Sequence, residues 1–209
     1  MLRLATSLPF IPPRGGAALA GVVLFLLASA AGASDPASVT VLVVYHSVTG
    51  NTERMAQGVA EGAKAVSGTT VVVKRVSEVT GSDLLSSDAL VVGSPVYFGN
   101  MSGEIKTFFD SWATKFGFQF RDRKMRNKVG AAFATGASVS NGKEVTLLTI
   151  LSAMLINQMI VVSGGGGFGA SATTGPDSPG IEAKEIAEAR DLGKRVAEVT
   201  AAVKKGGTR

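Results

Sequence analysis

The stretch that most constrains the fold is 39–52, Val-Thr-Val-Leu-Val-Val-Tyr-His-Ser-Val-Thr-Gly-Asn-Thr. Its first half, Val39 to Tyr45, is an almost unbroken β-branched and apolar run, the pattern of a strand buried on both faces of a parallel sheet. Ser47-Val48-Thr49-Gly50-Asn51-Thr52 follows at once, and behind it Met55, Val59, Ala63 and Val66 recur at helical spacing. A strand, a short turn and a helix N-terminus place outward-pointing amides where the helix dipole favours an anion. Gly50 permits the tight turn, and Ser47, Thr49 and Thr52 each carry a hydroxyl donor. There is no Gly-Lys-Ser/Thr and no cation in the turn, so it is not the phosphate loop of ATP- and GTP-cleaving enzymes. A phosphate held by hydroxyls and amides alone suits a ligand that stays bound and intact. A plain helix-capping Gly-Asn turn is the simpler alternative.

The rest of the chain repeats the strand–helix alternation. Further strands are predicted at Thr69–Val76, Asp88–Gly93, Lys128–Thr135 and Met159–Ser163. Lys74 and Arg75 mark the second of these as an edge strand. Gly81–Ser87 reads as a short helix or turn. Helical stripes appear at Ile105, Phe108, Phe109, Trp112 and Phe116 and again from Ile186 to Val203. Val145–Gln158 is apolar on nearly every side, which predicts a helix that is deeply buried or packed on another subunit. The whole predicts an α/β fold, a doubly wound five-stranded parallel sheet with helices on both faces. Ligands in such sheets bind outside the carboxyl ends of the strands. The loops meeting there would be 47–52, 94–100 and 136–142.

Composition removes several function classes. The chain has 209 residues, no cysteine and one histidine. Thiolate catalysis, disulfides and multi-histidine or cysteine metal sites are therefore excluded. The net charge of +5 suits an anionic substrate or surface, but no nucleic-acid motif accompanies it. His46 alternates with Tyr45 and Ser47 at a strand end and reads as a packed side chain, not a catalytic base.

Residues 1–38 are a different material. Arg3 and Arg14 precede a small and apolar run, Ala17 to Ala31, and Ala31-Gly32-Ala33 fits a small-x-small cleavage site. Residues 1–33 thus read as a secretory signal peptide, or as an uncleaved membrane anchor, followed by a linker at 34–38 and a domain at 39–205. The signal reading predicts an exported protein. A misassigned start would instead leave it cytoplasmic.

Ser47-x-Thr49-Gly50-Asn51-Thr52 after a first apolar strand resembles the FMN-phosphate loop of flavodoxins. Gly93-Ser94-Pro95-Val96-Tyr97-Phe98-Gly99-Asn100-Met101-Ser102-Gly103, leading into Phe108-Phe109-Asp110, resembles the WrbA-type NAD(P)H:quinone oxidoreductases of the flavodoxin-like superfamily. The resemblance runs from about Val39 to about Lys204. It implies non-covalent FMN, with 47–52 at its phosphate. Pro95, Val96, Tyr97, Phe98, Gly99 and Asn100 would lie along the isoalloxazine ring, and Thr135, Gly136 and Ala137 at the dioxo-pyrimidine side. NAD(P)H would be the electron donor and a quinone the acceptor, in a homodimer or homotetramer. The family histidine before the fifth strand is replaced here by Asn157, which can hydrogen-bond a carbonyl but cannot become cationic. The alternatives are a flavodoxin-type electron carrier that docks other redox proteins and an FMN-free binding paralogue. Two further expectations are open. The basic run Arg121, Arg123, Lys124, Arg126 and Lys128 is a solvated turn or attracts the phosphates of NAD(P)H. Ser163–Gly180 is a long glycine-rich loop that becomes ordered on assembly.

Overall fold

A computed structural model describes residues 38–164, 167–175 and 180–207. The segment expected as a signal peptide or anchor, 1–33, and residues 34–37 of the expected linker lie outside the described residues. Among the described residues no helix is long and apolar enough to cross a membrane.

The elements are β1 (Val39–Tyr45), α1 (Asn51–Lys64), β2 (Thr69–Arg75), α2 (Gly81–Ser86), β3 (Ala89–Tyr97), β4 (Asn100–Met101), α3 (Gly103–Thr114), β5 (Val129–Gly136), α4 (Lys143–Ile156), β6 (Ile160–Val161), β7 (Ala170–Thr173) and α5 (Ala183–Gly206). The central sheet runs β2-β1-β3-β5-β6, and the pairings along it are parallel. This is the doubly wound order whose direction of winding reverses between β1 and β3. β2 is the edge that its two cations announce.

The period-2 alternation of β1 distributes its residues to two cores. Val41, Val43 and Tyr45 pack with Met55, Val59, Ala189, Leu192 and Val196 beneath α1 and α5. Leu42 and Val44 pack with Leu84, Ile105, Phe108, Trp112, Leu147, Ile150 and Met154 beneath α2, α3 and α4. Where α1 crosses α5 the backbones touch. A Cβ on Gly62 would lie 1.9 Å from the carbonyl oxygen of Arg190, and one on Gly193 1.9 Å from that of Val59.

Two expectations are corrected. The fifth strand is not one run at Met159–Ser163. β6 pairs only with Val129 and Gly130 at the start of β5, and β7 pairs with Phe133–Gly136 at its end. The segment expected as a featureless loop, 163–180, therefore contains a strand. Its residues 165–166 and 176–179 lie outside the described residues. The second correction removes one of the two alternatives expected for α4, which is not deeply buried. Thr146, Leu147, Ile150, Leu151 and Met154 face the sheet, while Val145, Leu148, Leu155 and Ile156 are exposed.

Candidate functional site

The first loop sits between β1 and α1. Gly50 is the residue before the helix, with φ 87° and no side-chain cap. The first intrahelical bond there runs from the Arg54 amide to the Gly50 carbonyl (2.9 Å), so the amides of the turn before it have no intrahelical acceptor. Ser47 is buried, and its Oγ has no hydrogen-bond partner. Asn51 Nδ2 donates to Thr49 Oγ1 (3.1 Å). Val48, Thr49 and Gly50 are exposed. Glu53, the first-turn acid, is turned away. It accepts from Tyr45 Oη (2.9 Å) and is paired with Arg75. Burial foremost, then the hydrogen bond and charge of Glu53, hold the Tyr45 phenol above its ordinary pKa. The turn thus presents neutral donors, and the nearby carboxylate is neutralised elsewhere. Arg75 also donates to the Ser47 carbonyl (3.1 Å), fixing the loop from behind.

The second loop is a hairpin. Val96 pairs with Met101 and Tyr97 with Asn100, antiparallel. The two residues between them, Phe98 and Gly99, have φ of 50° and 79°. Two consecutive positive φ values are what a two-residue type I′ hairpin requires. Phenylalanine pays for that conformation in steric strain, and its ring is fully exposed. Ser102 anchors the hairpin. Its amide donates to Ser94 Oγ (2.9 Å) and its hydroxyl caps α3. His46 Nδ1 lies 2.9 Å from the same hydroxyl and 3.3 Å from Glu104, with its ring edge-on to Tyr97. His46 is therefore a packed brace between the first two loops, as its strand-end position predicts. A cavity of about 280 Å³ beside it is lined by Tyr45, His46, Ser47, Arg75, Ser77 and Glu104, among others.

The third loop closes the arrangement. Thr135 Oγ1 is 2.8 Å from Thr52 Oγ1 in a buried contact, which locks the end of β5 onto the first turn of α1. Gly142, with φ 99°, lies against the hairpin; a Cβ there would be 2.5 Å from the Gly99 carbonyl oxygen. Gly136 is buried and Ala137 exposed. The structure therefore brings together 47–52, 95–100 and 135–137 at the carboxyl ends of the strands.

Within one chain Asn157 shares a cavity with Asn100 alone of these residues and does not reach the phosphate-side turn or the third loop. Asn157 ends α4 at the far side, its Nδ2 bonded to the Ala153 carbonyl (2.8 Å). The helix between it and the third loop is 14 residues long, roughly 20 Å. Asn157 lines a different cavity, of about 500 Å³, which reaches Asn100 along α3 and α4. The basic run is also remote. Arg121 to Lys128 precede β5, at the amino ends of the strands, and Lys128 donates to the carbonyls of Leu85 and Ser87. Arg121, Arg123, Lys124 and Arg126 are exposed, away from the three loops, while Lys128 is half-buried on those carbonyls.

One residue escaped the sequence reading. Lys143, the first residue of α4, is only 5% exposed. Its Nζ donates to the carbonyls of Ser138 (2.7 Å) and Val139 (3.2 Å) and to Thr173 Oγ1 (2.9 Å).

The residues fit FMN. Ser47 Oγ is a buried donor without a partner, the turn has open amides and no inward carboxylate, and a hydroxyl-locked third loop flanks an aromatic hairpin. Among the described residues no group of three or more His, Asp or Glu could hold a metal.

Known proteins agree with this geometry. Residues 78–173 match the family described as NADPH-dependent FMN reductase. An NAD(P)H dehydrogenase (quinone) of Archaeoglobus fulgidus is 33% identical over 76% of this chain and 96% of that protein. One of Acidithiobacillus ferrooxidans is 32% identical over 77% and 96%. Among solved structures, a WrbA-like flavodoxin from Agrobacterium tumefaciens superposes with a TM-score of 0.66 at 28% identity, covering 79% of this chain and 99% of that one. A flavodoxin from the domain Archaea shares the fold, with a TM-score of 0.61 at 23% identity over 78% of this chain and 99% of its own. The chain belongs to the flavodoxin-like superfamily, in its WrbA-type NAD(P)H dehydrogenase (quinone) family.

Proposed function

We infer that this chain binds FMN non-covalently and transfers two electrons from NAD(P)H to quinones. The observation that carries this is the convergence of the cation-free phosphate turn, with its unpartnered Ser47 hydroxyl, on the Tyr97–Phe98–Gly99–Asn100 hairpin. Bound there, FMN would supply the two-electron redox chemistry between NAD(P)H and quinone. The chain's own work is binding and orientation. Ser47, Thr49 and the first-turn amides hold the phosphate. Tyr97 and Phe98 flank the ring with aromatic surface, and the turn at Gly99 and Asn100 offers backbone groups to its edge. His46 and Ser102 keep that hairpin in register with the phosphate turn.

The decisive experiment is an anaerobic absorbance titration. Protein with FMN should bleach with NADPH and recover with benzoquinone. FMN that binds without bleaching would support a flavodoxin-type carrier instead. A colourless protein that takes up no FMN would sink the reading.

The proposal extends to assembly and compartment. The exposed apolar face of α4 (Val145, Leu148, Leu155, Ile156) is the surface expected to meet a second copy. That copy would also be the means of bringing a distant Asn157 near a flavin. Residues 1–33 act as a leader, and the domain works outside the cytoplasm. Their apolar run and small-x-small end support this. Amino-terminal sequencing of the recovered protein should start at Ser34; an intact Met1 would count against cleavage.

A further inference from the structure

Lys143 is the one charged side chain among the described residues that is buried. Its position is unfavourable twice over. It occupies the first turn of α4, where the helix dipole repels a cation. Its three partners, two carbonyls and a hydroxyl, are neutral, and among the described residues no carboxylate lies within ion-pair distance of it. The nearest acid through the network is Glu185 of α5, which accepts from the Thr173 and Glu182 amides and not from Lys143. A buried ammonium without a direct ion-pair partner is costly. Gluing a surface loop to β7 does not need a charge.

The geometry shows what the ammonium does locally. It gathers the carbonyl oxygens of Ser138 and Val139. Peptide units are planar and trans, so the amides of Val139 and Ser140 must point the opposite way. The Asn141 side chain spans the Ala137 amide (3.1 Å) and the Ser138 carbonyl (3.2 Å), completing the brace. The loop so arranged is pinned to the phosphate turn through Thr135 and Thr52, and to the hairpin through Gly142 and Gly99.

We propose that Lys143 is a positioning residue for the flavin: it turns the Val139 and Ser140 amides toward the polar edge of the ring and holds a positive charge behind them. This rests on the FMN reading above. Reduced flavin carries more negative charge than oxidised flavin, and charge near the ring's polar edge sets its electronics. The Lys143 charge therefore shifts the balance of affinity toward reduced FMN, and the ratio of the two affinities depends on it.

The test uses the full chain, as wild type and as Lys143→Met, Lys143→Gln and Lys143→Arg. Dissociation constants are measured for oxidised and for reduced FMN, together with the two-electron potential and the melting temperature of each apoprotein. Gln keeps amide donors for the carbonyls without the charge; Arg keeps donors and charge. Met and Gln should weaken reduced FMN about tenfold more than oxidised FMN, a fall of about 30 mV in potential. Arg should keep the wild-type ratio. If Met fails to fold, as a collapsed apoprotein melt would reveal, the Gln-to-Arg comparison decides alone. Equal weakening of both forms, or an Arg ratio shifted as far as that of Gln, overturns the proposal and leaves Lys143 as loop glue. A wild-type chain that binds no FMN overturns the FMN reading itself, and this proposal with it.

Discussion

A buried hydroxyl without a partner costs roughly 1–3 kcal/mol, and Ser47 Oγ is in that state. Its removal should therefore have opposite effects on the empty and loaded protein. Ser47→Ala should leave the apoprotein as stable or up to about 1 kcal/mol more stable, while FMN binding weakens by one to two orders of magnitude, the worth of a hydrogen bond to a charged group. Paired thermal melts and FMN titrations check this; parallel losses in both would mean that Ser47 is only structural. Phe98 presents the same conflict in backbone form. Asparagine adopts its φ of 50° more readily. Phe98→Asn should therefore stabilise the apoprotein by roughly 0.5–1 kcal/mol and raise the KM for quinone several-fold. Unchanged quinone kinetics would remove Phe98 from the site. At this scale the turn between β1 and α1 was legible because hydroxyls, glycine and position after a strand all declare themselves. Lys143 was not, because a lysine after Asn-Gly reads as solvated. Its burial is created by Thr173, 30 residues away.

Among the elements, β1, β3, β5 and the central helices carry strong periodic signals, and they fold where those signals lie. The fifth strand failed for a physical reason. β7 is Ala-Ser-Ala-Thr, small residues with no apolar run, and it becomes a strand only because β5 offers a ladder to pair with. Even the short α2 is specified by its ends. Thr80 and Asp83 form a reciprocal capping box, and Lys74 of β2 donates to both Asp83 oxygens at 2.8 Å. Burial pushes the Asp83 pKa up, but the bonds from Lys74 and Thr80 outweigh it, and the value lies below the ordinary 3.8. The depressed value means that this stabilisation is complete above pH 3.8 and is lost as the pH falls through the folded-state value. Asp83→Asn should cost about 1 kcal/mol at pH 7, and the difference from wild type should shrink in melts taken below that pH. A difference that persists unchanged into acid would assign the loss to packing.

For the whole molecule, the alternation of strands and helices predicted both cores and the end of the sheet where the loops meet. What one chain's sequence cannot show is which exposed surfaces find a partner. The outer face of α4 is the clearest case. Leu148→Glu with Leu155→Glu should convert an oligomer to monomer on light scattering while leaving the monomer folded, since both side chains are already exposed. A wild type that is monomeric at micromolar concentration would refute that assembly. The broken fifth strand has a different consequence. β6 and β7 each hold their own register on β5, so the described residues between them, 163, 164, 167 and 168, carry none of the sheet's alignment. Doubling such a connection costs only about 0.6 kcal/mol in closure entropy. That makes it a natural splice point: a lineage, or an engineer, can graft a reporter peptide or a recognition module there, and the two halves of the ladder will still find their places.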